Sequence, residues 1–234
     1  MRRNQLLPLI FVLAASFAGC GKGAEAARSN LAQMNIPFTE MAFIESARQG
    51  DTASLELFLK AGINPEAKSY DGQSALLVAA LANHADATKL LLAKGVNADA
   101  QDKFGGTALM TAAWKGNQEI VKALIAKGAA VNKQAANGMT ALMFAAWENH
   151  TEIVRTLIEQ GADSGLRDNN GWTALMRAVF KGRLDSVKLL LERGADTSAI
   201  GKDGKTALQI ATEQNHAEII QLLNHTKTTE GGTS

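Results

Sequence analysis

Apolar positions in this chain fall into short clusters with helical spacing. In 141–146 and again in 153–158, apolar residues stand at the first, second, fifth and sixth places, which lie on one face of an α-helix. Thr140 precedes the first cluster and can cap a helix by accepting a backbone N–H. Asn149 follows it, and asparagine readily enters the left-handed conformation in which many helices end. The pattern predicts two short helices joined by a tight turn.

This helix-turn-helix pattern returns every thirty-three residues. After the second helix, the Asp-Asn-Asn-Gly run at 168–171 predicts a turn that projects as a hairpin finger before the next cap. A fixed period of this length is typical of stacked repeats. The capping position is occupied by Ser74, Thr107, Thr140, Thr173 and Thr206, and the loop glycine is Gly62, Gly95, Gly128, Gly161 and Gly194. The turn between the paired helices has Gly50, Asn83, Gly116, Asn149, Gly182 and Asn215.

A second, weaker pattern has a period of two repeats. Asn-His at 83–84, 149–150 and 215–216 alternates with glycine followed by a different residue at 50–51, 116–117 and 182–183. Duplication of a two-repeat unit and chance both explain this alternation. It carries no mechanism by itself.

Three segments resemble the Gly-x-Thr-Pro-Leu-His core of the ankyrin repeat. They are Gly105-Gly-Thr-Ala-Leu-Met110, Gly138-Met-Thr-Ala-Leu-Met143 and Gly171-Trp-Thr-Ala-Leu-Met176. The resemblance implies an all-α solenoid of about six helix-turn-helix units with hairpin fingers. Alanine replaces the family's proline and methionine replaces its histidine, and we expect less hydrogen-bonded rigidity but the same stack.

The ankyrin resemblance, together with the composition of the two ends of the chain, divides the sequence into four parts. We expect a lipoprotein signal peptide at 1–19, a lipidated Cys20 with a tether over 20–36, a repeat domain at 37–225 and a disordered tail at 226–234. Within the domain, the first and last units are expected to act as caps. The units are approximately 37–69, 70–102, 103–135, 136–168, 169–201 and 202–225.

The beginning of the chain has the features of an export signal. Arg2 and Arg3 precede a nearly uninterrupted apolar run over 6–18, which is shorter than the roughly 20 residues that span a bilayer. Phe-Ala-Gly-Cys at 17–20, where this run ends, resembles the lipobox of bacterial lipoproteins, although phenylalanine stands where leucine is usual. Cys20 is the only cysteine, so it cannot form a disulfide within the chain. The alternative is ordinary signal cleavage after Ala18.

Charge and composition narrow the function classes. Of 24 basic and 23 acidic residues, two arginines leave with the signal, so 22 basic residues face 23 acidic ones and the charge is −1. This near balance gives no electrostatic case for binding to nucleic acid or, through a polybasic segment, to a membrane surface.

No group of residues in the sequence has the spacing of a catalytic, metal-binding or cofactor-binding site. We expect no catalytic residues, no metal site and no cofactor, because no histidine, cysteine or carboxylate cluster has ligand spacing and no phosphate-binding loop is present. In the ankyrin family, histidines at the turn occupied here by His84, His150 and His216 are usually structural. The sequence therefore predicts a protein that is not an enzyme.

The ankyrin resemblance implies a binding surface instead. In that family the fingers and the first helices line a concave groove, and all three tryptophans of this chain occupy its usual contact positions. Aromatic side chains are enriched in binding hot spots. The predicted contacts are Tyr70, Lys103, Phe104, Trp114, Met139, Trp147, Asn169, Asn170, Trp172, Phe180 and Lys205. The alternative is that Trp114, Trp147 and Phe180 stack on one another and extend the core.

These observations predict a monomeric module that binds another protein. We expect it to be lipid-anchored in a bacterial envelope, in the outer membrane facing the periplasm because Gly21 rather than aspartate follows Cys20. A secreted, unanchored protein that acts on a foreign or host protein is the alternative.

Overall fold

The computed structural model describes residues 21–230 and the side chains of 21–225. The predicted signal peptide, Cys20 and residues 231–234 of the predicted tail lie outside the described residues.

Across the described residues the chain forms thirteen helices, which confirms the predicted all-α solenoid. They are α1 (Gly21–Gln33), α2 (Glu40–Gln49), α3 (Thr52–Lys60), α4 (Ala75–Leu81), α5 (Ala85–Ala93), α6 (Ala108–Lys115), α7 (Gln118–Ala126), α8 (Ala141–Glu148), α9 (Thr151–Glu159), α10 (Ala174–Phe180), α11 (Leu184–Glu192), α12 (Ala207–Glu213) and α13 (Ala217–Glu230).

The helices begin and end where the caps and turns predict. Thr140 Oγ1 accepts the backbone N–H of Met143 at 3.3 Å at the start of α8, and the other four caps do the same in their repeats. Asn149 ends α8 with φ 64°, and all six residues at this turn have positive φ. Left-handed backbone suits glycine and is tolerated by asparagine, which explains why only these two residue types occur there.

The helices stack in two layers. The inner layer is α2, α4, α6, α8, α10 and α12, each packed on the next, and the outer layer is α3, α5, α7, α9, α11 and α13. Leu142 of α8 and Leu157 of α9 are fully buried between the layers, while Ala145 and Ala146 are buried on α8. Because these alanines are small, neighbouring inner helices can approach closely.

The fingers are joined by a backbone ladder. Each hydrogen bond runs from an amide of one finger to a carbonyl of the preceding finger, at Lys103 to Asp71 (3.4 Å), Ala136 to Phe104 (2.9 Å), Asn169 to Asn137 (3.0 Å) and Lys202 to Asn170 (2.8 Å). Gly138 has φ 78°, and a Cβ there would lie 2.7 Å from the amide nitrogen of Asn169. Glycine is therefore required both by the turn and by the close approach of the next finger.

The alternation over two repeats has a packing explanation. His150 Nε2 lies 3.1 Å from the carbonyl oxygen of Trp114, and its ring covers Gly116, where a Cβ would lie 2.5 Å from Cε1. His84 covers Gly50 and His216 covers Gly182 in the same way. Only a residue without a side chain fits beneath the imidazole. The structural role predicted for these three histidines is confirmed.

Repeats whose turn residue is asparagine use other contacts. Asn117 Nδ2 donates to Asn83 Oδ1 at 2.5 Å, and the backbone N–H of Ser186 donates to Asn149 Oδ1 at 3.1 Å. Arg183, at the histidine position, donates from Nε to the carbonyl oxygen of Trp147 at 2.9 Å. The identity of each turn residue is therefore matched to that of the residue that contacts it from the next repeat.

The segment predicted as a tether is a helix over most of its length. Within α1, Ala27 and Leu31 are buried, and the helix packs against α3 of the outer layer. Arg28 Nη2 donates to the carbonyl oxygen of Ala61 at 3.2 Å, and its guanidinium lies 4.6 Å from the centre of the Phe38 ring. These contacts stabilise a segment whose small, polar composition alone does not predict a packed helix.

The other end of the chain also differs from the prediction. Helix α13 continues to Glu230, past position 226, where the sequence predicts that a disordered tail begins. Residues 226–230 contain no proline or glycine to end the helix, and a helix propagates more easily than it nucleates. Along the described chain, no helix is both long and apolar enough to span a bilayer.

Candidate interaction surface

Three aromatic side chains project from the second and third repeats, and we call them the exposed aromatic group. Tyr70 and Phe104 belong to consecutive fingers and are 99% and 65% exposed. Trp114, near the end of α6, is 43% exposed. Side chains of this size leave large apolar areas in water, so this patch is a candidate contact surface.

A cavity of about 150 Å³ lies beside this group, and we call it the groove cavity. Its walls come from the fingers and from the inner helices α6 and α8, so it lies in the groove where binding was predicted. A preformed apolar cavity of about this volume accepts a group the size of benzene. The lining residues are Phe104, Gly106, Met110, Thr111, Trp114, Ala135, Asn137 and Phe144.

Further along the stack, three aromatic rings pack together, and we call them the stacked aromatic cluster. The ring centres of Trp147 and Phe180 are 5.9 Å apart, and those of Trp172 and Phe180 are 5.3 Å apart. All three rings are partly buried. The sequence left open whether the aromatic row is exposed or stacked, and the answer differs along the row. Trp147 stacks on Phe180 and Trp172 packs against Phe180 with the ring planes tilted by 56°, whereas Trp114 does not join them.

Arg177 of α10 lies between the two indoles of this cluster. Its guanidinium carbon is 5.3 Å from the Trp147 ring centre and 4.9 Å from that of Trp172. The same guanidinium pairs with Asp168, whose side chain is 0% exposed. A planar guanidinium suits both contacts, because it stacks on aromatic faces and bonds a carboxylate through its edge.

Asp168 also organises the finger that carries Trp172. Its Oδ1 accepts the backbone N–H groups of Asn170 at 2.8 Å and Trp172 at 3.0 Å, and its Oδ2 accepts from Arg177 Nε at 2.5 Å. Sequence reasoning missed Asp168 and Arg177 as a pair. The sequence feature that could have indicated this pair is an acidic residue at the start of a finger, followed by an arginine in the first turn of the next helix.

Lysine side chains lie over the aromatic rings of the groove. Lys115 Nζ is 4.5 Å from the Trp114 ring centre, and Lys181 Nζ is 4.6 Å from that of Trp147. Lys103 lies 5.1 Å above Phe104 and also pairs with Asp71. In the part of the chain that the structure describes, neither Lys115 nor Lys181 forms an ion pair with a carboxylate.

Glu148 lies at the equivalent position of the repeat between these two lysines. Its Oε1 accepts a hydrogen bond from Trp114 Nε1 at 3.1 Å, and its Oε2 is 3.8 Å from Arg183 Nη2. The negative charge of Glu148 is therefore directed toward Trp114 and Arg183.

One predicted contact residue is not on the surface. Met139 is only 8% exposed and packs in the core. It follows the finger glycine Gly138, and its carbonyl accepts the backbone N–H of Ala135, which closes the finger and turns the Met139 side chain inward. A partner cannot reach a side chain in this position, so this prediction is wrong.

The remaining predicted contacts lie on the fingers. Asn169 and Asn170 are exposed, and Asn169 Nδ2 donates to the carbonyl oxygen of Ala136 at 2.9 Å. Lys205 Nζ donates to Glu213 at 2.6 Å, and this hydrogen bond raises the pKa of Lys205 above its ordinary value. The described residues contain no group of three or more histidine, cysteine, aspartate or glutamate side chains placed to bind a metal ion.

Comparison with known families identifies ankyrin repeats. The family model for ankyrin repeats, which describes three copies, matches residues 43–135 and 128–201. A comparison with curated proteins gave no match.

Proposed function

Because the chain belongs to the ankyrin repeat family, whose members are generally protein-protein interaction modules, we propose that it is a non-enzymatic module that binds a partner protein through its groove. We further propose that the module is anchored in a bacterial envelope by a lipidated Cys20. The alternative is a secreted, unanchored protein that acts on a foreign or host protein.

The observation that carries the binding proposal is the exposed aromatic group beside the groove cavity. Hot spots in protein interfaces are aromatic anchors and the pockets next to them, surrounded by a polar rim. Phe104 and Trp114 line the cavity, and lysines lie over both rings. Trp147 and Trp172 contribute less free surface, because each packs against Phe180 and Arg177.

The test of the binding surface is site-specific photocrosslinking in native envelopes. A photoreactive amino acid in place of Phe104 is expected to capture the partner, whereas the same amino acid in place of Lys188, on outer helix α11, is expected to capture nothing. Phe104→Ala is then expected to weaken binding of the captured partner by about 2 kcal/mol or more. Its melting temperature should stay close to that of the unmodified protein, since Phe104 is largely exposed. Capture from position 188 and not from 104 would contradict the proposed surface.

The test of the anchor is at Cys20. Cys20→Ser is expected to abolish incorporation of labelled palmitate and to move the protein from the membrane fraction to the soluble fraction, because a serine has no thiol to acylate. Mass spectrometry of the mature amino terminus measures the modification directly. An unmodified terminus at Gly19 would instead support cleavage after Ala18 and the secreted alternative.

A further inference from the structure

Two lysines give the groove a local positive charge that the whole chain does not have. The signal-free chain has a net charge of −1, yet Lys115 and Lys181 lie in the groove without a carboxylate partner among the described residues. Glu148, which lies between them in the stack, is already bonded to Trp114 and Arg183. Two cations therefore remain available to an incoming anion.

The tryptophans position these two lysines. Each ammonium lies within 4.6 Å of an indole ring centre, so each side chain lies across an aromatic face at the edge of the groove. Low-dielectric walls around a charge strengthen its attraction for an opposite charge and steer an oppositely charged partner during encounter. The Trp114 ring that orients Lys115 also forms a wall of the groove cavity, so the cation and the apolar cavity share one binding region.

We propose that the groove binds an acidic segment of a partner polypeptide, which places an apolar side chain in the groove cavity and carboxylates against Lys115 and Lys181. This inference rests on the proposed function and specifies the chemistry of the partner. Neighbouring packed helices are about 8–10 Å apart, so Lys115 and Lys181, two repeats apart, are separated by roughly 20 Å. An extended chain covers that distance in about six residues. The expected segment is therefore short, acidic and contains one large apolar residue near its first carboxylate.

A single-stranded nucleic acid is another polymer with negative charge. Bases bind to such proteins by stacking on free aromatic faces. Faces of Trp147 and Trp172 are already covered by Phe180, Arg177 or Lys181, and Lys115 covers a face of Trp114. Tyr70 and Phe104 keep exposed rings, but the net charge of −1 of the signal-free chain gives no electrostatic case for a polyphosphate chain, so the charge balance and these contacts together favour a polypeptide.

The experiment uses the mature full-length protein in detergent and a displayed random peptide library. The peptides have about twelve residues, which at roughly 3.3 Å each reach across three to four repeats. The enriched peptides are then measured against the unmodified protein, Lys115→Glu, Lys181→Glu and Trp114→Ala. Lys188→Glu is the matched control, since it makes the same charge change on an exposed outer helix. A single-stranded oligonucleotide is included as a competitor, and melting temperatures confirm that every variant is folded.

The expected result is enrichment of acidic peptides with a large apolar residue. Each groove charge reversal should weaken their binding by at least about tenfold, because like charges would then face each other, while Lys188→Glu leaves binding unchanged. Peptides without an acidic bias, whose binding is lost in Trp114→Ala but unchanged in Lys115→Glu, would overturn this inference and leave the proposed function intact. Peptides that respond only to Lys188→Glu, or no enrichment at all, would overturn both. Displacement of the peptides by the oligonucleotide would overturn the polypeptide assignment.

Discussion

Replacement of Asp168 by alanine is expected to lower the free energy of unfolding by about 3–5 kcal/mol. The side chain is fully buried and accepts two backbone N–H groups of its finger as well as the Arg177 guanidinium. Its removal leaves a nearly buried guanidinium without a counter-charge, and this uncompensated charge dominates the cost. Denaturant titration measures the loss.

Asp102→Ala is the matched control for this experiment. Asp102 opens the finger two repeats earlier and accepts the N–H groups of Phe104 and Gly106, both at 2.8 Å. It has no arginine partner among the described residues, so its removal should cost only about 1–2 kcal/mol. Combining Asp168→Ala with Arg177→Met should recover part of the loss, because the unpaired charge is removed as well. Equal losses for the two aspartate variants would show that the Asp168–Arg177 pair adds no stability.

Replacement of Gly116 by alanine is expected to cost about 2–5 kcal/mol of unfolding free energy. Gly116 has φ 78°, and a left-handed backbone costs an L-residue about 1–2 kcal/mol. The new Cβ would also lie 2.5 Å from His150 Cε1, and overpacking of this kind costs about 1–3 kcal/mol. The imidazole must then move away from the Trp114 carbonyl that it contacts.

Gly128→Ala separates these two costs. Gly128 has φ 82°, but an added Cβ would meet nothing within 4 Å, so this variant reports backbone strain alone. The difference between the two variants measures the collision with His150, and Gly116→Ala combined with His150→Ala should remove most of that difference. If both glycine variants lost the same stability, the imidazole would be free to move and the proposed pairing of glycine and histidine would be wrong.

The repeat period and the local chemistry of caps and turns were enough to predict the fold. Thr140 and Asn149 mark the two ends of α8 because their effects act within three or four residues along the chain. Such signals do not depend on how one repeat lies on the next. Helix caps and turns can therefore be predicted from the sequence alone.

Features that depend on the spacing between repeats could not be predicted. The alternation around Gly116 and His150 was visible in the sequence, but its cause needed the position of the ring in the following repeat. Exposure of the aromatic row likewise depended on Arg177, which shields Trp147 and Trp172 and leaves Trp114 alone. Helix α1 escaped prediction because only Ala27 and Leu31 in it are buried, too few to give a clear apolar stripe.

Helix α1 also changes what an anchor at Cys20 would do. The sixteen residues 21–36 as an extended tether would reach about 50 Å, whereas the thirteen residues of a helix are about 20 Å long. Because α1 packs on α3, acyl chains attached at Cys20 would hold the repeat stack closer to the lipid surface than an extended tether would. The groove would then be confined to a thin layer above the bilayer. This confinement would raise the effective concentration of a partner bound to the same membrane.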